Sequence, residues 1–365
     1  MLAGEAGRVD VLAECFARLL QCERCIRFKP ELPPYLHSAD RNAAMPSSLS
    51  TRASSQQGPP VILLMGPTAC GKTGLAVELA RRFPLELVSV DSVQIYREMN
   101  IGTAKPGQRT LQAAPHHLID ILDPTQRYSA AQFCADANEV VAEIHGRGHV
   151  PLLVGGTMLY FKALTEGLSP LPCADLDIRL LIDSMAEASG WPALHTELER
   201  IDPQTAARLQ PNDAQRIQRA LEVYYVSGHT MSELTARARR AAPPYRTILV
   251  ALEPGDRRAL HARIEQRFEE MLELGLIGEV RGLRERFELH PSLPSMRAVG
   301  YRQVWQYLDG QFGLTNLREK AVAATRQLAK RQLTWLRGWN GAARFDCLAD
   351  DLAEQVTAHL ASRLG

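Results

Sequence analysis

Eight residues from Gly66 to Thr73 read GPTACGKT, and their types and spacing suit them to hold a phosphate. They match G-x-x-x-x-G-K-[ST] at every fixed position and follow the apolar run Val61-Ile62-Leu63-Leu64-Met65, the strand context that the pattern requires. In such a loop the backbone N–H groups and the start of the next helix converge on phosphate oxygens. The contacts expected here run through Gly66, Pro67, Thr68, Ala69, Cys70, Gly71, Lys72 and Thr73. Lys72 supplies a point charge, and the Thr73 hydroxyl suits a Mg²⁺ ligand.

Other candidate groups follow apolar runs. Asp91 closes Leu85–Val90 and opens Asp91-Ser92-Val93-Gln94, and Thr157 follows Gly155-Gly156 after Val150–Val154. In an open parallel sheet, ligands sit at the carboxyl ends of the strands, so both groups belong on the side of the phosphate loop. Residue type alone leaves Asp91 open as a turn-capping carboxylate, a Mg²⁺ ligand or a general base, and Thr157 as a helix cap or a ligand contact. Lys105 reads either as a solvated loop lysine or as a phosphate contact. His116-His117 and the lone Cys22-Glu23-Arg24-Cys25 lack the further ligands that a zinc site needs.

The elements positioning these groups alternate. Strands are expected over 61–65, 85–90, 150–154 and 247–252, with helices over 72–82 and 129–146. Short apolar strands separated by helices imply a parallel sheet covered on both faces. Residues 176–187, 194–201 and 214–226 are helical and polar, and they interrupt this pattern before the strand at 247–252. Helices are expected again over 257–275 and 317–337. The fold class is therefore α/β, a P-loop NTPase-like parallel sheet covered by helices. A helical insertion and a helical C-terminal part complete it. The expected divisions are an extension over 1–58, the first part of the core over 59–172 and the insertion over 173–243. Core completion with basic helices follows over 244–345, then a helix or tail over 346–365. The extension has helical spacing at Leu12, Cys15, Phe16 and Leu19, and then a Ser/Gln-rich stretch that reads as a disordered linker.

The 365 residues carry 42 Lys and Arg against 41 Asp and Glu, a net charge of +1, so the chain as a whole is no polycation. Seven cysteines at irregular spacing do not suggest a disulfide scaffold, and no apolar run reaches the length of a membrane span. A cytoplasmic location is expected. Charge separates locally instead. Between 281 and 337 there are 11 Lys or Arg and 4 Asp or Glu, interleaved with Tyr301, Trp305 and Trp335. Basic helices with interspersed aromatics suit phosphate-backbone contact and base stacking, although the aromatics on their own also suit a helix core.

Seven blocks occur in order: GPTACGKT, DSVQIYREMNIGTAKP, PHHLIDILDP, GGTMLYFKAL, NDAQRIQRALEVYYVSG, RAVGYRQVW and KRQLTWLR. Together they resemble the tRNA dimethylallyltransferases, also called tRNA isopentenyltransferases, from about residue 61 to 340. The resemblance implies transfer of a dimethylallyl group from dimethylallyl diphosphate to N6 of adenosine 37, beside the anticodon of tRNAs that read codons beginning with U. It implies Asp91 as general base, with Lys72, the loop amides and Mg²⁺ at Thr73 stabilising the departing diphosphate. Thr157 and Arg179 stand beside that diphosphate in the family pattern. The tRNA contacts it implies are Asp91, Ser92, Val93 and Gln94; Gln215, Arg216, Ile217, Gln218 and Arg219; Arg297, Ala298, Val299, Gly300, Tyr301 and Arg302; and Lys330, Arg331, Gln332, Leu333, Thr334, Trp335, Leu336 and Arg337. The inserted helices would clamp the anticodon stem-loop, and the enzyme is expected to act as a monomer. One departure is Cys70, where the family usually has Ser; it adds an oxidation-sensitive thiol. The competing readings are a P-loop small-molecule kinase, an adenylate isopentenyltransferase acting on free nucleotides, and a non-enzymatic RNA-binding protein. The long basic helices and the insertion weigh against the first two, and Asp91 and Thr157 beside the loop weigh against the third.

Overall fold

The structure is a computed structural model and describes residues 58–169, 171–237 and 243–364. The sequence readings for 1–57, including the Cys22–Cys25 pair, lie outside the described residues. The chain divides into two compact units, one of residues 168–237 and one of 58–167 with 243–364.

The larger unit is built on a six-stranded sheet. Its strands are β1 (Pro60–Met65), β2 (Leu85–Val90), β3 (His116–His117), β4 (Val150–Gly155), β5 (Arg246–Glu253) and β6 (Ala343–Asp346), in the order β3-β2-β4-β1-β5-β6. Every pairing is parallel. β1 lies between β4 and β5, with Leu63 opposite both Leu153 and Leu249. Val61 to Met65 are fully buried, which explains why this strand reads as an unbroken apolar run. The register sets Met65 beside Gly155, and Val90 beside Gly155, so the three strand ends that carry candidate chemistry share one edge.

Helices α1 (Lys72–Arg82), α2 (Gln108–Ala113), α3 (Ala130–Gly146) and α4 (Met158–Glu166) connect the first strands. α3 starts at a capping box in which Ser129 and Gln132 satisfy each other's backbone amides. The smaller unit holds α5 (Leu176–Ser189), α6 (Trp191–Ile201), α7 (Pro203–Ala206), α8 (Ala214–Ser227) and α9 (Met231–Arg237) around Ile182, Leu198, Ile217 and Leu221. Returning to the larger unit, the chain forms α10 (Arg257–Glu273), α11 (Leu276–Arg286), α12 (Tyr301–Leu308), α13 (Leu314–Arg337) and α14 (Leu352–Leu364).

Two differences from the sequence expectation have physical causes. The single helix expected over 257–275 ends at Glu273, because Gly275 takes φ 96° and opens α11. His116-His117 forms an edge strand. The His116 ring bonds the Ala114 carbonyl at 2.7 Å, and the His117 ring reaches Glu86 at 3.0 Å. A second core gathers α10 to α13 against the segment that follows Asp91, with Tyr96, Met99, Phe268, Tyr301 and Val304 at its centre. That packing holds the basic C-terminal helices against the segment that leaves the sheet after β2.

Candidate active site

The phosphate loop keeps four of its amides without an acceptor among the described residues. Ala69 (φ 63°) and Gly71 (φ 82°) both take left-handed backbone, which turns successive N–H groups inward. Among the described residues the amides of Ala69, Cys70, Gly71 and Thr73 find no acceptor, and α1 has no side-chain cap. A helix start left open in this way is an anion site. The Lys72 ammonium folds back on the loop's own carbonyls, 3.0 Å from Gly66 O and 2.6 Å from Pro67 O, and lies 3.6 Å from Cys70 Sγ. Gly66 leaves room for the Cys70 sulfur, since a Cβ there would lie 2.8 Å from Sγ.

Asp91 lies one residue past β2. Its Oδ1 accepts from the Val93 amide at 2.9 Å and the Gln94 amide at 3.3 Å, while Oδ2 has no partner among the described residues. One oxygen is thus fixed by the turn and the other is left to take a proton or a ligand. Thr157 starts α4 without capping it; its hydroxyl accepts from the Ser92 amide at 3.1 Å instead. The Gly155-Gly156 pair is a packing requirement. A Cβ on Gly155 would lie 2.0 Å from Val90 O.

Arg267 is a candidate for the site that sequence reasoning missed. Burial lowers its pKa from the usual value, and the charges of Asp91, Cys70 and Glu270 act against that shift. It is half-buried, hydrogen-bonds to no described residue and brings a second cation to the Asp91 edge of the loop. A signal existed. Leu260, Ile264 and Phe268 mark the buried face of α10, and Arg267 borders that face between Ile264 and Phe268. Cys70 is fully buried against Cys347. Burial raises its thiol pKa, but the hydrogen bond with Cys347 and the Lys72 charge outweigh that and hold it below the ordinary thiol value.

Other expected residues are engaged within the protein. Lys105 is neither solvated nor free. Its ammonium binds Tyr96 O at 2.8 Å, Asn100 Oδ1 at 3.0 Å and Asp120 Oδ1 at 2.5 Å, which leaves no donor for a phosphate. Arg179 belongs to the smaller unit, where it makes a bidentate pair with the fully buried Glu222 at 2.8 and 3.1 Å.

Of the segments expected to meet tRNA, several members are removed from such contact by burial. Ile217, Tyr301 and Leu336 have no exposed surface. Ile217 and Leu336 are core residues, and the Tyr301 hydroxyl donates to Glu279 at 2.5 Å. Gln218 and Arg219 are tied to Asp183 and Glu222 at 2.7 Å each, and Gln94 to the Thr103 carbonyl at 3.3 Å. Ala298, Val299 and Gly300 are at most half-exposed. The exposed members are Ser92, Gln215, Arg216, Arg297, Arg302, Lys330, Arg331, Thr334, Trp335 and Arg337. Both tryptophans carry a cation over the ring: the Arg284 guanidinium lies 4.2 Å from the Trp305 centroid and the Lys162 ammonium 5.7 Å from that of Trp335, but Trp305 is buried whereas Trp335 is 42% exposed.

A family model described as IPP transferase matches residues 94–339, and one described as isopentenyl transferase matches 59–121. The chain is 57% identical to a tRNA dimethylallyltransferase of Nitrosospira multiformis over 83% of its length and 94% of the relative's. It is 58% identical to one from Thiobacillus denitrificans, covering 84% of this chain and 98% of that one. Among solved structures, a tRNA isopentenylpyrophosphate transferase from Bacillus halodurans superposes with a TM-score of 0.62 at 36% identity, covering 84% of this chain and 97% of that one. A eukaryotic dimethylallyltransferase acting on tRNA gives a TM-score of 0.68 at 26% identity, over 84% and 79% of the two chains.

Proposed function

We propose the reaction from one premise: the chain belongs to the IPP transferase family. It transfers a dimethylallyl group from dimethylallyl diphosphate to N6 of adenosine 37, in the anticodon stem-loop of tRNAs reading codons that begin with U, and releases diphosphate. The observation that carries this reading is the set of amides at Ala69, Cys70, Gly71 and Thr73 that find no acceptor among the described residues, on the same sheet edge as Asp91, whose Oδ2 likewise has no described partner. An anion cradle and a proton acceptor on one edge of the sheet suit a substitution with an anionic leaving group.

The adenine amine is a weak nucleophile, because its lone pair is delocalised into the ring. Asp91 Oδ2 accepts the N6 proton as the new N–C bond forms, while the amides of Val93 and Gln94 keep the carboxylate from turning away. As the allylic C–O bond breaks, negative charge grows on the diphosphate. The amides of Ala69, Cys70, Gly71 and Thr73, with Lys72 and Arg267, meet that charge. Lys72 exchanges its internal carbonyl contacts for phosphate oxygens when the substrate enters. The target base must leave its stack to reach Asp91.

Mg²⁺ fits this site through Thr73. The Thr73 hydroxyl makes no hydrogen bond to a described residue, and a divalent ion of this kind keeps most of its shell as water and phosphate oxygen. No group of three or more His, Cys, Asp or Glu among the described residues offers a fuller cage. When bound, the ion neutralises charge on the diphosphate.

The exposed side chains of α13, together with Arg297 and Arg302, supply RNA contacts, and Gln215 and Arg216 supply those of the inserted helices in the role of clamp. The enzyme acts as a monomer in the cytoplasm. Incubation with dimethylallyl diphosphate, Mg²⁺ and unmodified tRNA, followed by mass analysis of the nucleosides, tests the reading. Dimethylallyl-adenosine is the expected product; its absence, or phosphoryl transfer from ATP in its place, would overturn the assignment.

A further inference from the structure

Gln332 joins α13 to both walls of the phosphate site. Its Oε1 accepts from the Thr68 amide at 2.9 Å, and its Nε2 donates to the Gly156 carbonyl at 2.9 Å. Thr68 lies inside the loop after β1, and Gly156 follows β4, so one carboxamide spans two strand ends. The fit depends on glycine, because a Cβ at 156 would lie 2.4 Å from Gln332 Nε2 and 3.3 Å from Gly66 O. Along the same stretch of helix Lys330, Arg331, Thr334 and Trp335 are exposed, whereas Gln332 is half-buried.

Thr68 stands out within the loop, because its amide donates to a side chain while those of Ala69, Cys70, Gly71 and Thr73 donate to no described residue. The next residue, Ala69, holds a left-handed φ of 63° without being glycine. Strain of this kind persists only where the surroundings over-determine the backbone, and the Gln332 carboxamide holds the residue directly before it. We propose that Gln332 is a positioning residue for the diphosphate: it pins Thr68 to Gly156, so that the amides beyond Thr68 converge on one anion. Gln332 therefore acts on the phosphate side of the site, although it lies within a stretch expected to contact tRNA.

This inference rests on the loop's role as a diphosphate cradle but not on prenyl transfer, so its test reads anion binding directly. Calorimetry with inorganic pyrophosphate and Mg²⁺, and filter binding with tRNA, are run on the parent, Gln332→Leu, Gly156→Ala and the double variant. Gln332→Leu keeps the apolar stem of the side chain, one atom shorter, without its polar end. It is expected to weaken pyrophosphate at least tenfold and leave the tRNA Kd within twofold. The KM for the allyl donor should rise in parallel, with a smaller fall in kcat. Gly156→Ala displaces the carboxamide from the other side and should reproduce the defect. The double variant should then be no weaker than the weaker single one, because both changes break the same link. Should Gln332→Leu fail to fold by thermal melting, Gly156→Ala carries the test with Gln332 in place. Pyrophosphate affinity within twofold of the parent in the folded variants overturns the inference. So does a loss confined to tRNA, which would make Gln332 an RNA contact. A parent that binds no pyrophosphate overturns the cradle reading and this inference with it.

Discussion

Replacing Asp91 by Asn separates proton acceptance from architecture. The Asn carbonyl oxygen can still accept from the Val93 and Gln94 amides, now 2.9 and 3.3 Å from Oδ1, so the turn that sets the edge of the site survives. What is lost is the second oxygen as an acceptor, because an amide NH₂ in its place only donates. A positioned general base contributes about 10²–10⁴-fold, equivalent to about 2.7–5.5 kcal/mol of barrier. The whole of that loss should fall on the transfer step. Donor binding should hold, since removing the Asp91 charge leaves the Arg267 guanidinium free to turn toward the diphosphate. The assay is single-turnover transfer at saturating donor and tRNA, with the tRNA Kd measured separately. A rate within tenfold of the parent, with tRNA still bound, would refute the general-base role of Asp91.

Arg267→Gln removes a cation at the Asp91 edge. Hydrogen bonds to charged groups are worth about 1.5–3 kcal/mol, so kcat/KM for the donor should fall roughly 10- to 150-fold while the thermal midpoint barely moves. Steady-state kinetics at fixed tRNA check this. Glu222→Ala strips the fully buried carboxylate that accepts from Arg179, from Arg219 and from the Asp175 amide, and should cost about 3–5 kcal/mol on urea unfolding. Burial raises the Glu222 pKa, but those bonds outweigh it and lower the value. Its stabilisation is therefore complete above the ordinary carboxylate range and fades as pH falls through the lowered value. Glu86 gives a sharper window. Bonds from Arg147, His117 and His149 outweigh burial and lower its pKa to about 2 from 4.5, so its contribution is present above 4.5 and is lost as pH falls toward 2. Acid titration by circular dichroism should register a smaller loss of stability in that window for Glu86→Gln.

The core was legible because its signals are local. An unbroken apolar run, a glycine-rich loop and a helix cap identify β1, α1 and α3 without knowledge of their partners. Register was not legible, since Leu63 meets Leu153 and Leu249 only through long-range pairing. β6 has four residues with an alternating half-buried pattern, too short to register as periodicity. In the site, Asp91 and Thr157 announced themselves by ending apolar strands. Arg267 did not, because a cation bordering the buried face of a helix resembles its solvated neighbours Arg257 and Arg258 until the helix is packed. Residue type alone also left roles open. Tyr301 was open as a stacking platform or a core residue, and its ring fills the space above Gly102, where a Cβ would lie 2.5 Å from it. Lys105 was read for its charge, which is already engaged by Asp120.

The central position of β1 has a consequence for synthesis of the chain. The strand that carries the phosphate loop is made early, but one of its two neighbours, β5, ends at Glu253. Ribosomes elongate at about 5–20 residues per second, so β1 waits roughly 10–40 s for that partner. The helical insertion is translated within this interval, and its contacts are local enough to fold first. Until β5 arrives, one flank of an entirely apolar strand stays open to other chains. The anion cradle is therefore among the last features of the protein to form, and pyrophosphate added during translation should leave nascent chains shorter than β5 unprotected.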